Sequence, residues 1–273
     1  MIKLVELLSI WSQLVTRDLF RGTVPYYIRY RVPYPDPLLT QILERAGVSG
    51  QGHLLDLGCG TGELALRLAP SFRETIAVDP DQEMLAAAKQ ILHELKIPNI
   101  QWRNQRAEQF SADADSFELV TIGAAFHWMD RPAIAERVRD WLQPGQPLVV
   151  LGYTSIWSGT ADWQFLVRSV IQKWLGEKRR AGSGEYNDRL EPHELVLIQA
   201  RYTLEEIEYQ QPHTWRLDEL VGNLYSTSFA SPAVLGERQP AFEADLRKTL
   251  LEYDSSGIYH EEMKFYALLA HPY

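Results

Sequence analysis

The chain has 273 residues, 45% of them hydrophobic, which allows an ordinary buried core in one large domain or two small ones and excludes a disordered chain. A formal net charge of −9 argues against unaided binding to nucleic acid or to an anionic membrane, since both need a basic surface. The single cysteine, Cys59, excludes an internal disulfide and thiolate zinc clusters; no metal is expected, and the expected location is the reducing cytoplasm.

In chain order, residues 1–46 read as a helical cap. MIKLVELLSIWSQL is an amphipathic helix rather than a signal peptide, because Glu6 interrupts its apolar run and no small-residue cleavage site follows. No stretch approaches the ~18 apolar residues of a membrane span. Asp36 and Pro37 start a helix that stops at Gly47. Residues 47–154 then alternate strand and helix. HLLDL is a strand, GCGTG a turn and ELALRLA a helix. TIAV is the second strand. DQEMLAAAKQILHEL is a helix with Met84, Leu85, Ala88, Ile91, Leu92 and Leu95 on one face. NIQWRN and ELVTIG are strands, AIAERVRDWL a helix and PLVVLGY the fifth strand. Such alternation implies a parallel sheet covered on both faces.

After Tyr153 the rhythm breaks. Residues 155–200 read as a helical insertion without a convincing strand, and its polar stretch EKRRAGSGEYNDR as a mobile loop. Residues 201–273 return to the sheet through ARYTLEEIEYQQ and EEMKFYALLAH. The expected fold is α/β: a Rossmann-like doubly wound seven-stranded sheet with helical additions before strand 1 and after strand 5, forming a single domain over residues 1–273.

The strongest local signal is Asp56-Leu57-Gly58-Cys59-Gly60-Thr61-Gly62, a glycine turn between a strand and a helix. Glycines permit positive φ and leave no Cβ between backbone and ligand. A dinucleotide fingerprint, G-x-G-x-x-G, requires a third glycine where this chain has Glu63. Carboxylates here repel a pyrophosphate and attract a ligand bearing an ammonium and a sulfonium, which favours S-adenosylmethionine over NAD. Asp56 can face the ammonium directly or through water, or be only a strand-end acid. Asp79 ends the next strand. It is placed either to accept hydrogen bonds from a ribose diol or to cap the following helix, with Pro80 at N1 and Gln82 at N3. Met84 can pack on adenine or in the core.

These segments together resemble a class I S-adenosylmethionine-dependent methyltransferase over residues 30–155. LLDLGCGTGELALRLA is similar to that family's first motif, IAVDPDQEMLAAAK to its second, QWRNQRAEQF to its adenine segment, and FELVTIGAAFHWMD and WLQPGQPLVVLGY to the passages that follow. Within the family the chain looks closest to a small-molecule branch including trans-aconitate and quinone-biosynthesis enzymes. Tyr30-Arg31-Val32-Pro33-Tyr34-Pro35 resembles a segment common there. The resemblance implies that Asp56, Gly58 and Gly60 hold the methionine part, with Gly62 supporting the turn. It implies Asp79 on the ribose, Pro80 and Met84 on adenine, Ala107 offering its N–H, Glu108 accepting from the exocyclic amine, and Ala124 bringing backbone near the methionine part. Arg106 stands where many relatives carry an acid.

His127 is the expected general base, or else a structural histidine. Tyr26, Tyr27, Tyr30, Trp128 and Trp157 are candidate walls of a small-molecule acceptor pocket, or cores of the added helices. Lys178-Arg179-Arg180 reads as a solvated run, and His93 and His193 as structural. The alternatives are non-methylating chemistry on the same cofactor, such as a cyclase, a non-catalytic binding protein, or an NAD-dependent oxidoreductase. Oligomeric state is not legible.

Overall fold

The computed structural model describes residues 22–181, 184–185 and 191–273. The amphipathic helix expected at the N-terminus and part of the polar stretch expected as a loop lie outside the described residues. The chain divides into two compact units. The core unit comprises Pro33–Tyr153, Arg189–Gln210 and Lys264–Tyr273. The accessory unit comprises the described parts of Met1–Val32, Thr154–Asp188 and Gln211–Met263.

In the core unit, α2 (Asp36–Ala46) carries Pro37 in its first turn and ends on Gly47 at φ +63°, as its sequence dictates. The alternating segment becomes β1 (His53–Leu57), α3 (Glu63–Leu68), β2 (Glu74–Asp79), α4 (Gln82–Leu95), β3 (Ile100–Asn104), β4 (Leu119–Gly123), α5 (Arg131–Trp141) and β5 (Leu148–Tyr153). A further helix, α7 (His193–Gln199), follows α6 (Asp162–Leu175), which lies in the accessory unit. The strands β6 (Tyr202–Arg216) and β7 (Ile258–Pro272) complete a seven-stranded sheet of order β3-β2-β1-β4-β5-β7-β6.

β1 to β5 are parallel, and β7 runs antiparallel to β5. Strand order moves one way from β1 through β2 to β3 and the other way from β4 to β5. Right-handed crossovers therefore put helices on opposite faces, with a switch point between β1 and β4. The main core gathers Leu55, Val120, Ile122, Leu148 and Val150 of the strands with Ile134, Val138 and Trp141 of α5 and Leu197 of α7. β1, β4 and β5 are buried almost throughout, as strands covered on both faces require.

The accessory unit holds α1 (Val24–Tyr30), α6 (Asp162–Leu175), α8 (Leu217–Tyr225), α9 (Pro232–Leu235) and α10 (Gln239–Tyr253). It also holds a short strand pair, Arg180–Ala181 with Gly184–Glu185. That pair corrects the strandless reading of residues 155–200. The indole N–H of Trp163 donates to the His260 carbonyl, and Gln164 and Trp215 both donate to the Glu261 carboxylate, joining the start of α6 to the long strands. Among the described residues no helix is long and apolar enough to cross a membrane.

Candidate functional site

At the carboxyl end of β1 the chain turns through three glycines in the left-handed region, Gly58 at φ +70°, Gly60 at +54° and Gly62 at +82°. A Cβ on Gly58 would stand 2.6 Å from the Ala125 side chain, and one on Gly62 2.6 Å from the Trp102 ring. The turn hangs from the end of β2, because the N–H groups of Gly58 and Cys59 both donate to the Val78 carbonyl (2.8 and 3.1 Å). The Gly60 N–H donates to Asp79 Oδ2 at 2.8 Å. The strand-end acid thus closes the turn that precedes it.

The helix-cap reading of Asp79 is corrected. The cap of α4 is Asp81, whose Oδ1 accepts from the N–H groups of Glu83 and Met84. Asp79 Oδ1 instead accepts from the Asp81 N–H at 2.8 Å. Each Asp79 oxygen holds one backbone N–H and keeps lone-pair capacity for a further donor. Burial pushes its pKa up to about 6, against the pull of the Asp81 and Gly60 N–H groups.

Asp56 is 1% exposed. Its register partner across the switch point is Thr121 of β4, whose hydroxyl donates to Asp56 Oδ1 at 2.8 Å. The other oxygen, Oδ2, is buried and has no hydrogen-bond partner among the described residues. Burial first, opposed by Thr121 and the Ala65 N–H and reinforced by the charges of Asp79 and Glu63, raises its pKa to about 7. An under-bonded buried carboxylate calls for a cationic or hydrogen-donating partner. With Asp79 and Glu63 nearby, this donor set fits the ammonium and sulfonium of S-adenosylmethionine and opposes a phosphate.

The remaining cofactor candidates also lie in the core unit. Pro80 follows Asp79, and the Asn104 amide donates to both their carbonyls, at 3.0 and 3.1 Å. Met84 is buried in the first turn of α4, and Ala107 is buried in a short helical turn after β3. Glu108 takes Arg106 Nε (3.1 Å) and the Asp130 N–H (3.0 Å) on its two oxygens. Burial raises its pKa, but these donors outweigh burial and leave it below the ordinary value. Arg137 grips the Glu108 carbonyl at 2.6 Å and also the Phe110 carbonyl, pinning the segment. Ala124, just past β4, is at φ +49°, a strained setting for a residue with a Cβ.

His127 and Trp128 share the half-buried helical turn Phe126–Trp128, their rings 4.5 Å apart. The other four acceptor candidates belong to the accessory unit. Tyr26 meets Tyr225 edge-on at 5.2 Å, Arg31 lies over the Tyr27 ring, and Tyr30 packs against Gly222, where a Cβ would clash at 2.3 Å. Trp157 meets Phe229 edge-on at 5.4 Å. The solvated reading of the basic run is corrected at Arg179, which lies half-buried, 5.6 Å from both the Trp157 and Phe229 ring centres. His193 opens α7, with Nδ1 3.1 Å from Arg131 and its ring against Phe126. Sequence reasoning missed Thr121, whose pairing with Asp56 appears only once register is known, and Asp81, whose Asp-x-Glu start signals a cap.

Residues 54–145 match the family described as a methyltransferase domain. A Dictyostelium discoideum protein named as a methyltransferase is 26% identical over 136 residues, 50% of this chain and 49% of its own length. YcgJ of Bacillus subtilis, an uncharacterized methyltransferase, is 32% identical over 114 residues, 41% of this chain and 45% of its own. The YcgJ crystal structure superposes with a TM-score of 0.56 at 16% identity, covering 86% of this chain and 97% of that one. A structure from Anaeromyxobacter dehalogenans, named as a type II methyltransferase, gives a TM-score of 0.60 at 19% identity over 89% and 97%. The chain spans about half the length of the curated relatives it matches.

The fold is that of these solved methyltransferase structures. The acids of the turn suit S-adenosylmethionine, and two solved neighbours of this fold hold that molecule or S-adenosylhomocysteine.

Proposed function

We propose that the whole protein transfers a methyl group from S-adenosylmethionine to a small-molecule acceptor. The observation that carries this reading is the acid-lined turn, in which buried Asp56 keeps an unbonded oxygen and Asp79 closes on Gly60. Asp56, Gly58, Gly60 and the backbone at Ala124 hold the methionine part, with Gly62 supporting the turn. Asp79 holds the ribose diol. Pro80, Met84 and the Ala107 N–H surround adenine, and Glu108, positioned by Arg106 and Asp130, accepts from its exocyclic amine. When bound, S-adenosylmethionine supplies an electrophilic methyl on a good, neutral leaving group. The protein therefore contributes mainly by positioning, a source of up to ~7–11 kcal/mol of barrier reduction. His127 receives the acceptor's proton where the acceptor must lose one. Tyr26, Tyr27, Tyr30, Trp128 and Trp157 supply aromatic surface suited to a planar or apolar acceptor.

The test is incubation of the full chain with methyl-labelled S-adenosylmethionine and separate metabolite, protein and nucleic-acid fractions of a cell extract. Label is expected in the metabolite fraction and is lost on heat denaturation of the protein. Label confined to protein or nucleic acid, or absent altogether, overturns the acceptor class. Calorimetric binding of S-adenosylhomocysteine, measured alongside, tests the cofactor part of the reading separately.

A further inference from the structure

Glu63 departs from the dinucleotide pattern and begins α3, directly after the glycine turn. It reaches back across the sequence: Glu63 Oε1 accepts from the Tyr34 N–H at 2.6 Å. One helical turn on, Arg67 donates to the Tyr34 carbonyl at 2.5 Å and to Glu63 Oε1 at 3.2 Å. A second Arg67 nitrogen holds Asp36. Both backbone groups of Tyr34 are thus bonded to charged side chains of the helix behind the turn. Charge-assisted bonds of this kind are the stronger ones.

The Tyr34 ring is 4% exposed and wedged between aromatic partners. It meets Tyr153, at the end of β5, edge-on at 5.9 Å and Phe265 of β7 at 6.3 Å, and those two rings lie 5.6 Å apart. Its hydroxyl and the Leu64 side chain crowd the last residue of β4. A Cβ on Gly123 would stand 2.6 Å from Leu64 Cδ1 and 3.3 Å from Tyr34 Oη. The next residue is Ala124, held at φ +49° with its N–H on the Leu151 carbonyl at 2.9 Å. Left-handed alanine persists only where its surroundings over-determine it. Tyr34 and Leu64 flank the residue that immediately precedes it.

We propose that Glu63 and Arg67, acting through Tyr34, are positioning residues for the methionine part of the cofactor: they clamp Tyr34 against Gly123 and so set the Ala124 backbone. This rests on the cofactor reading given above. The acid in place of a third glycine then does two jobs, opposing phosphate and tying residues 33–36 to the cofactor turn. Tyr34 lies beside Gly123, with Tyr153 and Phe265 packed on its ring, and acts through the backbone rather than on the reacting atoms.

Glu63→Gln and Arg67→Met are compared with wild type by calorimetry against S-adenosylhomocysteine and against 5′-methylthioadenosine, which lacks the amino-acid end. The two substitutions change net charge in opposite directions. A long-range field effect therefore moves affinity for S-adenosylhomocysteine in opposite senses, whereas loss of the clamp weakens it in both. The expected result is a roughly three- to thirtyfold weakening for S-adenosylhomocysteine in both variants, with 5′-methylthioadenosine unchanged. Arg67→Lys, which keeps charge and a donor, is expected to recover part of the loss. Equal weakening for both ligands, opposite signs in the two variants, or unchanged affinity in variants that melt like wild type overturns the proposal. Wild-type protein that binds neither ligand overturns the cofactor reading instead. Should Arg67→Met fail to fold, Tyr34→Phe against the same two ligands decides, with loss again expected only for S-adenosylhomocysteine and no selective loss counting against the clamp.

Discussion

Asp56 carries a conflict between stability and binding that one substitution can expose. Its carboxyl is buried, bonded on one side only, and its pKa rises from 3.8 to about 7. Because the folded value lies above the unfolded one, the native state binds the extra proton between about pH 4 and 7, so stability falls as pH rises through that window. The shift corresponds to a penalty on the order of 4 kcal/mol above it. Asp56→Asn keeps an oxygen for the Thr121 hydroxyl and removes the charge. It is expected to melt higher than wild type above about pH 7, to match it near pH 4, and to bind S-adenosylhomocysteine more weakly. Paired melting curves and calorimetry check this; an Asn variant no more stable at the higher pH would show that the charge is already compensated. The two neighbouring acids separate cleanly. Asp79→Ala leaves the Gly60 N–H without its partner, at about 1–3 kcal/mol, and is expected to weaken cofactor binding as well. Asp81→Ala removes only a helix cap, at ~1 kcal/mol, and should leave S-adenosylhomocysteine affinity unaltered. Denaturant midpoints alongside calorimetry distinguish them. Asp79 was legible as an acid ending the strand beyond a glycine turn, but its bond to Gly60 was not, since nothing local reports a contact nineteen positions away.

At the scale of elements, the entry into α3 is decided by Gly62. Its φ of +82° is costly for any residue with a Cβ, by ~1–2 kcal/mol, and the Trp102 ring fills the space a Cβ would need. Gly62→Ala is therefore expected to lower the denaturation midpoint through both causes. Trp102→Leu placed in the same chain should restore only the steric part. A double variant no better than the sum of the two single changes would show that the ring is not the obstacle. The helices and the five parallel strands were readable because their signals are local: periodic apolar positions in α4, a cap and proline at α2, glycines at turns. The last two strands were placed but drawn too short. Pro212 reads as a strand ending, yet β6 continues through it to Arg216. β6 lies at the sheet edge, where a missing N–H is tolerated.

Over the whole molecule, the cofactor candidates, His127 and Trp128 fall in the core unit, while Tyr26, Tyr27, Tyr30 and Trp157 fall in the accessory unit built from three separated stretches of chain. The sequence by itself determined the order of strands and helices, the acid-flanked turn and the start and stop of most elements. Those properties depend on residues within a few positions of one another, through side-chain periodicity, allowed φ and capping. Only the tertiary structure decided that Asp56 meets Thr121, that Asp79 closes on Gly60, that Glu63 and Arg67 hold Tyr34, and that half-buried Arg179 lies over Trp157 and Phe229. Each of these depends on strand register or on packing between distant segments, which balance many weak contacts at once and leave no mark in any short window of sequence.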